Sequence, residues 1–166
     1  MPASPKTKIL SRTALQRRLA AARRQGKRIV FTNGCFDLLH PGHIRYLRAA
    51  KGLGDVLVLG LNSDASVRRL KGLTRPLVPQ ADRAEVMAAL EMVDYVTLFS
   101  EDTPYALIKV VRPDVLVKGG DWTPARIAGA DLVKANGGKV RSLKFAKGYS
   151  TTRLVERIRR LSGAGR

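Results

Sequence analysis

Both histidines of the chain fall in one tetrapeptide, His40-Pro41-Gly42-His43, which follows a short apolar run and opens a helical pattern. At that spacing on a first helical turn, two imidazoles can face one side and meet an anion attracted by the unpaired N–H groups of the helix start. Pro41 suits such a turn, because the donor it lacks would be unpaired there anyway. Gly42 lets a phosphate or a base come close to the main chain. A packed helix-start histidine beside an exposed one is the plainer alternative. Two histidines around a glycine in a strand-to-helix loop favour anion chemistry instead. Two histidines with a lone Cys35 fall short of a zinc set, so no metal site is expected.

Other segments carry donors for phosphates or hydroxyls. Lys71, next to Gly72, can set an ammonium on reacting phosphates, although an exposed loop lysine is an ordinary finding. Arg75 before Pro76 offers a planar fork for two phosphate oxygens, with a surface arginine as the alternative. Arg83 stands evenly between an anion contact and a salt bridge. In Lys118-Gly119-Gly120-Asp121-Trp122 the glycines admit close approach and Asp121 can bind hydroxyls. Trp122 can pack on a base or sugar, or plug the core of a tight turn. Ser150-Thr151-Thr152 opens the last helical pattern, where hydroxyls and N–H groups can cradle the β- and γ-phosphates while also capping the helix. Cys35 reads as a packed residue with no thiolate chemistry.

These segments need a frame that brings them together. Ser11 can cap a helix carrying Leu15, Leu19 and Ala22, with Gly26 as its stop. Residues 28–32 form a β-branched and aromatic strand, and 42–53 are helical through Ile44, Leu47 and Ala50. Residues 55–61 are a continuous apolar strand of the kind buried on both faces of a parallel sheet. Helices are expected near 63–70 and 82–90, a strand at 95–99, a helix at 105–111, and strands at 114–117 and 139–143. The last helix spans 151–161, with Leu154, Val155, Ile158 and Leu161 on one stripe. Strands separated by helices predict an α/β fold, a Rossmann-like doubly wound parallel sheet of about five strands with helices on both faces. Such sheets hold ligands at the carboxyl ends of their strands.

The chain has 166 residues, enough for a single domain over 9–161 with flexible tails at 1–8 and 162–166. No apolar run approaches the roughly 18 residues of a membrane span, so membrane insertion is not expected. The N-terminal segment lacks a secretory pattern and one cysteine fits a reducing compartment, which makes the cytoplasm the expected location. A net charge of +18 gathers polyanions without choosing among nucleotides, sugar phosphates, nucleic acid and anionic lipid. Arginines such as Arg17, Arg18, Arg157 and Arg160 sit on expected solvent faces, so most of the surplus reads as surface. A non-catalytic nucleic-acid-binding module is the alternative from another class. Aromatic residues make up only 5% and no stacking or helix-turn-helix motif stands out, so no nucleic-acid partner is expected.

The His40–His43 stretch resembles the H-x-G-H motif of the cytidylyltransferase-like nucleotidyltransferases. Gly60-Leu61-Asn62-Ser63-Asp64, Val67-Arg68-Arg69-Leu70-Lys71-Gly72, Arg75-Pro76 and Arg83 extend the likeness. With Val117-Lys118-Gly119-Gly120-Asp121-Trp122 and Gly148-Tyr149-Ser150-Thr151-Thr152, nearly the whole chain is similar to the adenylyltransferase domain of ADP-heptose synthases. The resemblance implies ATP as a substrate with Mg²⁺ carried on it, and D-glycero-β-D-manno-heptose 1-phosphate as acceptor. ADP-heptose, for the inner core of lipopolysaccharide, and pyrophosphate would be the products. It implies His40, His43 and Lys71 as catalytic, and Asp37, Arg75 and Arg83 as acceptor contacts. Nucleotide contacts would be Thr32, Asn33, Gly34, Phe36, Gly42, Lys118, Gly120, Asp121, Trp122, Ser150, Thr151 and Thr152. A homodimer is implied as well. Many relatives carry a sugar kinase ahead of this domain; with the first strand at residue 28, that kinase is expected on a separate chain. Within the class, a cytidylyltransferase acting on glycerol 3-phosphate is the nearest alternative.

An acceptor phosphate oxygen would attack the α-phosphorus in line and expel pyrophosphate. A phosphate dianion is already a competent nucleophile, so positioning and charge neutralisation suffice without a general base. The reading requires the His40–His43 turn and the Ser150–Thr152 helix start to meet at one cavity.

Overall fold

The computed structural model describes residues 4–120, 122–123, 126–144 and 148–163. Asp121, an expected nucleotide contact, lies outside the described residues. Ser11 accepts a hydrogen bond from the Ala14 N–H and starts α1 (Arg12–Arg24), whose buried Leu15, Leu19 and Ala22 share one face. The order then runs β1 (Ile29–Gly34), α2 (Pro41–Lys51), β2 (Val56–Asn62), α3 (Asp64–Lys71), α4 (Gln80–Ala89) and β3 (Tyr95–Phe99). It continues with α5 (Tyr105–Val111), β4 (Val115–Gly119), α6 (Ala130–Ala135), β5 (Lys139–Leu143) and α7 (Thr151–Gly163).

All strand pairings are parallel, in the order β3-β2-β1-β4-β5. The chain therefore winds outward from β1 in both directions, and the ends of β1 and β4 flank the crevice where winding reverses. Alternation along the strands sorts the core into two layers. Ile29, Phe31, Val58 and Leu116 pack with Leu15 and Leu19 of α1, Leu107 and Val111 of α5 and Val133 of α6. Val30, Leu57, Leu59 and Val117 pack on the other face with Leu47 and Ala50 of α2 and Ala84 and Met87 of α4. Each fully buried leucine or valine contributes about 1.5–3 kcal/mol. That burial holds the carboxyl edge of the sheet as a rigid platform.

Three local expectations differ from the fold. Residues 5–8, expected in a flexible tail, form a 3-10 turn. Lys8 Nζ donates to the carbonyls of Leu90 at 3.3 Å and Val93 at 2.8 Å, which ties the turn to the segment between α4 and β3. The helix α6 was not anticipated, because a six-residue span is too short for apolar periodicity to stand out. The last helix runs to Gly163, past its expected end at 161, and none of its described side chains is fully buried. Among the described residues no helix is long and apolar enough to cross a membrane.

Candidate active site

A cleft of about 620 Å³ opens at the crevice between β1 and β4. One wall is the loop after β1, with Asn33, Gly34, Cys35, Phe36 and Asp37, joined by His43 and Tyr46 of α2. Lys118 and Gly119 of β4 and Trp122 form the floor and the opposite lip, and Thr151 and Thr152 enter from the start of α7. The far end is built by Val67, Leu70 and Lys71 of α3 with Arg75, by Asp102, Thr103 and Pro104, and by Arg126, Ile127 and Ala128. The volume is in the range of pockets that enclose nucleotide-sized ligands.

The turn at residues 40–43 and the start of α7 meet here: the Thr151 hydroxyl donates to the Leu38 carbonyl at 3.0 Å. Only one of the two imidazoles lines the cleft, however. His43 faces it, while the His40 ring stacks behind at 3.9 Å between centroids and 16° between planes, with Tyr149 stacked 5.9 Å away on His40. His40 lines a separate open groove with Leu39, Pro41, Ile44, Arg45 and Arg48. Its Nδ1 is buried with no hydrogen-bond partner among the described residues. Gly42 serves this stack: a Cβ there would stand 2.9 Å from His40 Nδ1 and 3.1 Å from the Tyr149 Cβ. The glycine makes room for side chains and does not itself line the cleft.

Burial and the neighbouring His40 push the His43 imidazole down to about 4, so it is neutral at pH 7. The His40 N–H donates to His43 Nδ1 at 3.4 Å, which leaves the His43 proton on Nε2 as a donor. The folded value lies below the ordinary 6.5, so the unfolded chain binds more protons between the two. Stability is therefore expected to be complete above about pH 6.5 and to fall as pH drops toward 4. Thermal melts at pH 7 and pH 5 check this, and His43→Asn is expected to lose less between them than the native protein.

Lys118 is partly buried, and its Nζ lies 3.5 Å from Asn33 Oδ1 across the β1–β4 crevice. Burial pulls its ammonium below the usual lysine range. An ammonium lifted out of water in this way is set to gain from an incoming phosphate. Burial pushes the Cys35 thiol up against the pull of Lys71, Arg83 and Lys118, so the residue stays a thiol, half-buried on the cleft wall and not the packed residue expected. Gly34 allows the Phe36 ring to lie across it, with a Cβ there falling 2.7 Å from that ring. Lys71 lines the cleft from the exposed last turn of α3.

Several expected contacts have other work. Arg83 is 1% exposed and is absent from the cleft. Its Nε donates to Val78 O at 2.9 Å, Nη1 to Cys35 O at 2.6 Å and Asn62 O at 2.9 Å, and Nη2 to Asp64 Oδ1 at 2.7 Å. It binds four chain segments together rather than an acceptor. Asp37 reaches the cleft wall, but both its oxygens are committed to the 75–78 loop: they accept from the N–H groups of Leu77 and Val78 at 2.9 Å and from Arg75 Nε at 2.6 Å. Burial works against its charge, yet these donors hold the carboxyl below the usual carboxylate range. Arg75 spends only Nε on that pair. Thr32 is fully buried, with its hydroxyl 2.5 Å from the Tyr46 hydroxyl, and points into the fold rather than at a nucleotide. Gly120 donates to the Leu143 carbonyl at 2.9 Å, and it is Gly119 that lines the cleft. Ser150 caps α7 through the Arg153 N–H at 3.5 Å and leaves the lining to Thr151 and Thr152.

The sequence reading missed Tyr46, Asn62, Arg126 and the 102–104 segment. The last was findable: the rule that ligands sit at strand carboxyl ends applies to β3 as well as to β1 and β4.

The family model described as cytidylyltransferase-like matches residues 31–157, which include every strand except the first two residues of β1. The chain belongs to the cytidylyltransferase-like family. It is a nucleotidyltransferase by that membership. The bifunctional protein HldE of Syntrophotalea carbinolica is 57% identical over 152 residues, 92% of this chain and 31% of that protein. HldE of Nitratiruptor sp. is 60% identical over 136 residues, 82% of this chain and 29% of that protein. The chain thus spans about a third of the length of the curated relatives it matches. Among solved structures, a lipopolysaccharide core biosynthesis protein from Thermoplasma volcanium superposes with a TM-score of 0.60 at 30% identity, covering 75% of this chain and 100% of that one. A pantoate-β-alanine ligase from Francisella tularensis, at 17% identity and a TM-score of 0.57, shares the fold alone.

Proposed function

We propose that this cytidylyltransferase-like chain transfers AMP from ATP to D-glycero-β-D-manno-heptose 1-phosphate, giving ADP-heptose and pyrophosphate for the lipopolysaccharide inner core. The observation that carries the reading is the meeting of His43, Lys118, Thr151 and Thr152 on one cleft at the β1–β4 crevice. Such a set suits a triphosphate: a neutral imidazole donor, a desolvated ammonium, and the Thr152 hydroxyl at a helix start whose entry Thr151 ties to Leu38. An oxygen of the acceptor phosphate forms a bond to the α-phosphorus as the bond from that phosphorus to the β-bridging oxygen breaks, and pyrophosphate takes the electron pair. His43 Nε2–H and the ammoniums of Lys118 and Lys71 neutralise charge as it moves to the leaving group. His40 acts through His43, whose ring it backs. Thr151, Thr152, Asn33, Gly34, Phe36 and Trp122 hold the nucleotide, and Arg75 is the remaining acceptor contact.

Mg²⁺ arrives with the nucleotide in this reading and shields the phosphates. The donor set fits that role: of the two described carboxylates lining the cleft, both oxygens of Asp37 are taken and one oxygen of Asp102 is taken by Arg69, so an ion carried on the nucleotide would draw its ligands chiefly from phosphate and water. The cytoplasm is the proposed location. A homodimer is proposed too, supported by the exposed Leu154, Ile158 and Leu161 on α7.

Pyrophosphate release is the test, run with each NTP against heptose 1-phosphate and glycerol 3-phosphate. ATP with heptose 1-phosphate is expected to exceed every other pair by at least roughly tenfold in kcat/KM, about 1.4 kcal/mol of discrimination. A CTP and glycerol 3-phosphate maximum would replace the proposal with the cytidylyltransferase alternative.

A further inference from the structure

The far end of the cleft holds a loop tied to its surroundings by several side-chain hydrogen bonds. Residues 100–104 join β3 to α5, and two arginines from separate helices brace them. Arg12 of α1 grips both oxygens of Glu101 at 2.7 Å, and Arg69 of α3 donates through Nε to Asp102 Oδ1 at 2.8 Å and through Nη2 to the Ser100 carbonyl. Two serines add to the brace: the Ser100 hydroxyl lies 2.9 Å from that of Ser63, and Ser66 Oγ donates to the Glu101 carbonyl at 3.5 Å. The tip of this loop, Asp102 and Thr103, lines the cleft.

Asp102 is the odd group in that wall. The described cations lining the cleft are Lys71, Arg75, Lys118 and Arg126, a set suited to phosphates, and a carboxylate among them repels phosphate. A carboxylate accepts hydrogen bonds only, so the chemistry it serves is that of hydroxyls. Asp37 has no capacity left for one. Asp102 does: Arg69 takes Oδ1, Oδ2 accepts no bond among the described residues, and its side chain is 82% exposed. The Thr103 hydroxyl stands beside it as a donor and acceptor.

We infer that Asp102 and Thr103 read the hydroxyl groups of the acceptor sugar, with Arg69 and Arg12 as positioning residues that hold the loop at the cleft. The inference rests on the reading of the acceptor as a sugar phosphate and assigns the specificity for its hydroxyls to this loop. The sugar ring lies toward the β3–α5 loop, and its phosphate points toward Lys71 at the end of α3 and the nucleotide.

Steady-state kinetics on the native chain, Asp102→Asn and Thr103→Val, with the sugar 1-phosphate and a panel of singly deoxygenated analogues, tests the assignment. For Asp102→Asn the KM for the sugar phosphate is expected to rise roughly tenfold, with kcat and the KM for ATP within about twofold, the size of one lost bond to a charged acceptor. At least one deoxygenated analogue should lose roughly tenfold in kcat/KM on the native enzyme and less than twofold on Asp102→Asn, because the hydroxyl and its partner are then lost together. A merely structural role would lower melting temperature without moving that discrimination. Identical discrimination by native and variant enzymes overturns the assignment while leaving the proposed reaction intact, and so does a rise in the KM for ATP equal to that for the sugar. A native enzyme that turns over no sugar 1-phosphate overturns both.

Discussion

His43→Ala is expected to lower kcat by roughly 10² to 10³, the usual loss when one preorganised donor to a transition state is removed. Its ring lines the cleft with Nδ1 turned to the His40 N–H, so the Nε2 proton is the one available to a phosphate oxygen. Charge on the pyrophosphate oxygens grows as the bond to the α-phosphorus breaks, and a donor placed for that charge acts on kcat more than on the KM for ATP. His40→Ala should cost less, about tenfold, because His40 stacks behind the reacting ring and is absent from the cleft lining. Single-turnover rates with saturating ATP measure both. A His43→Ala rate within threefold of native would take the imidazole out of the chemistry and leave Lys118 and Lys71 as the charge-neutralising groups.

The second large effect concerns stability. Arg83→Ala is expected to destabilise the fold by about 3–5 kcal/mol, since it strips partners from Asp64 and from three carbonyls in a buried setting. For a chain of this size such a loss lowers Tm by roughly 10 °C or more. An arginine that only contacted the acceptor would give the opposite pattern, with an unchanged melt and a raised KM. Equilibrium denaturation and acceptor KM, measured on the same preparation, separate the two. The strength of this prediction comes from position: the guanidinium joins the β1 loop at Cys35, the end of β2 at Asn62, the start of α3 at Asp64 and the chain before α4 at Val78, so its loss loosens the frame of the cleft.

Comparison of these two residues shows where sequence reading works. The His40–His43 turn was legible because its meaning is local: a strand end, a proline-started helix and two imidazoles lie within one short window. The strands were legible for the same reason, and those at 95–99 and 139–143 agree with β3 and β5 to the residue. Arg83 was not, because a guanidinium with four partners spread from residue 35 to residue 78 looks the same in sequence as one waiting for phosphate. Asp37 shows the same limit, since the N–H groups that saturate it come from Leu77 and Val78.

What the chain determines by local pattern alone is the succession of strands and helices and the placing of the His40–His43 and Ser150–Thr152 segments beside strand ends or helix starts. Periodicity and capping act over a few residues, so neighbours in sequence suffice to encode them. The tertiary structure alone decided which imidazole faces the cleft, which charged side chains are spent inside the protein, and that the loop after β3 closes its far wall. Those outcomes depend on packing and desolvation among groups tens of residues apart, where a donor is used by whichever acceptor the folded sheet brings to it first.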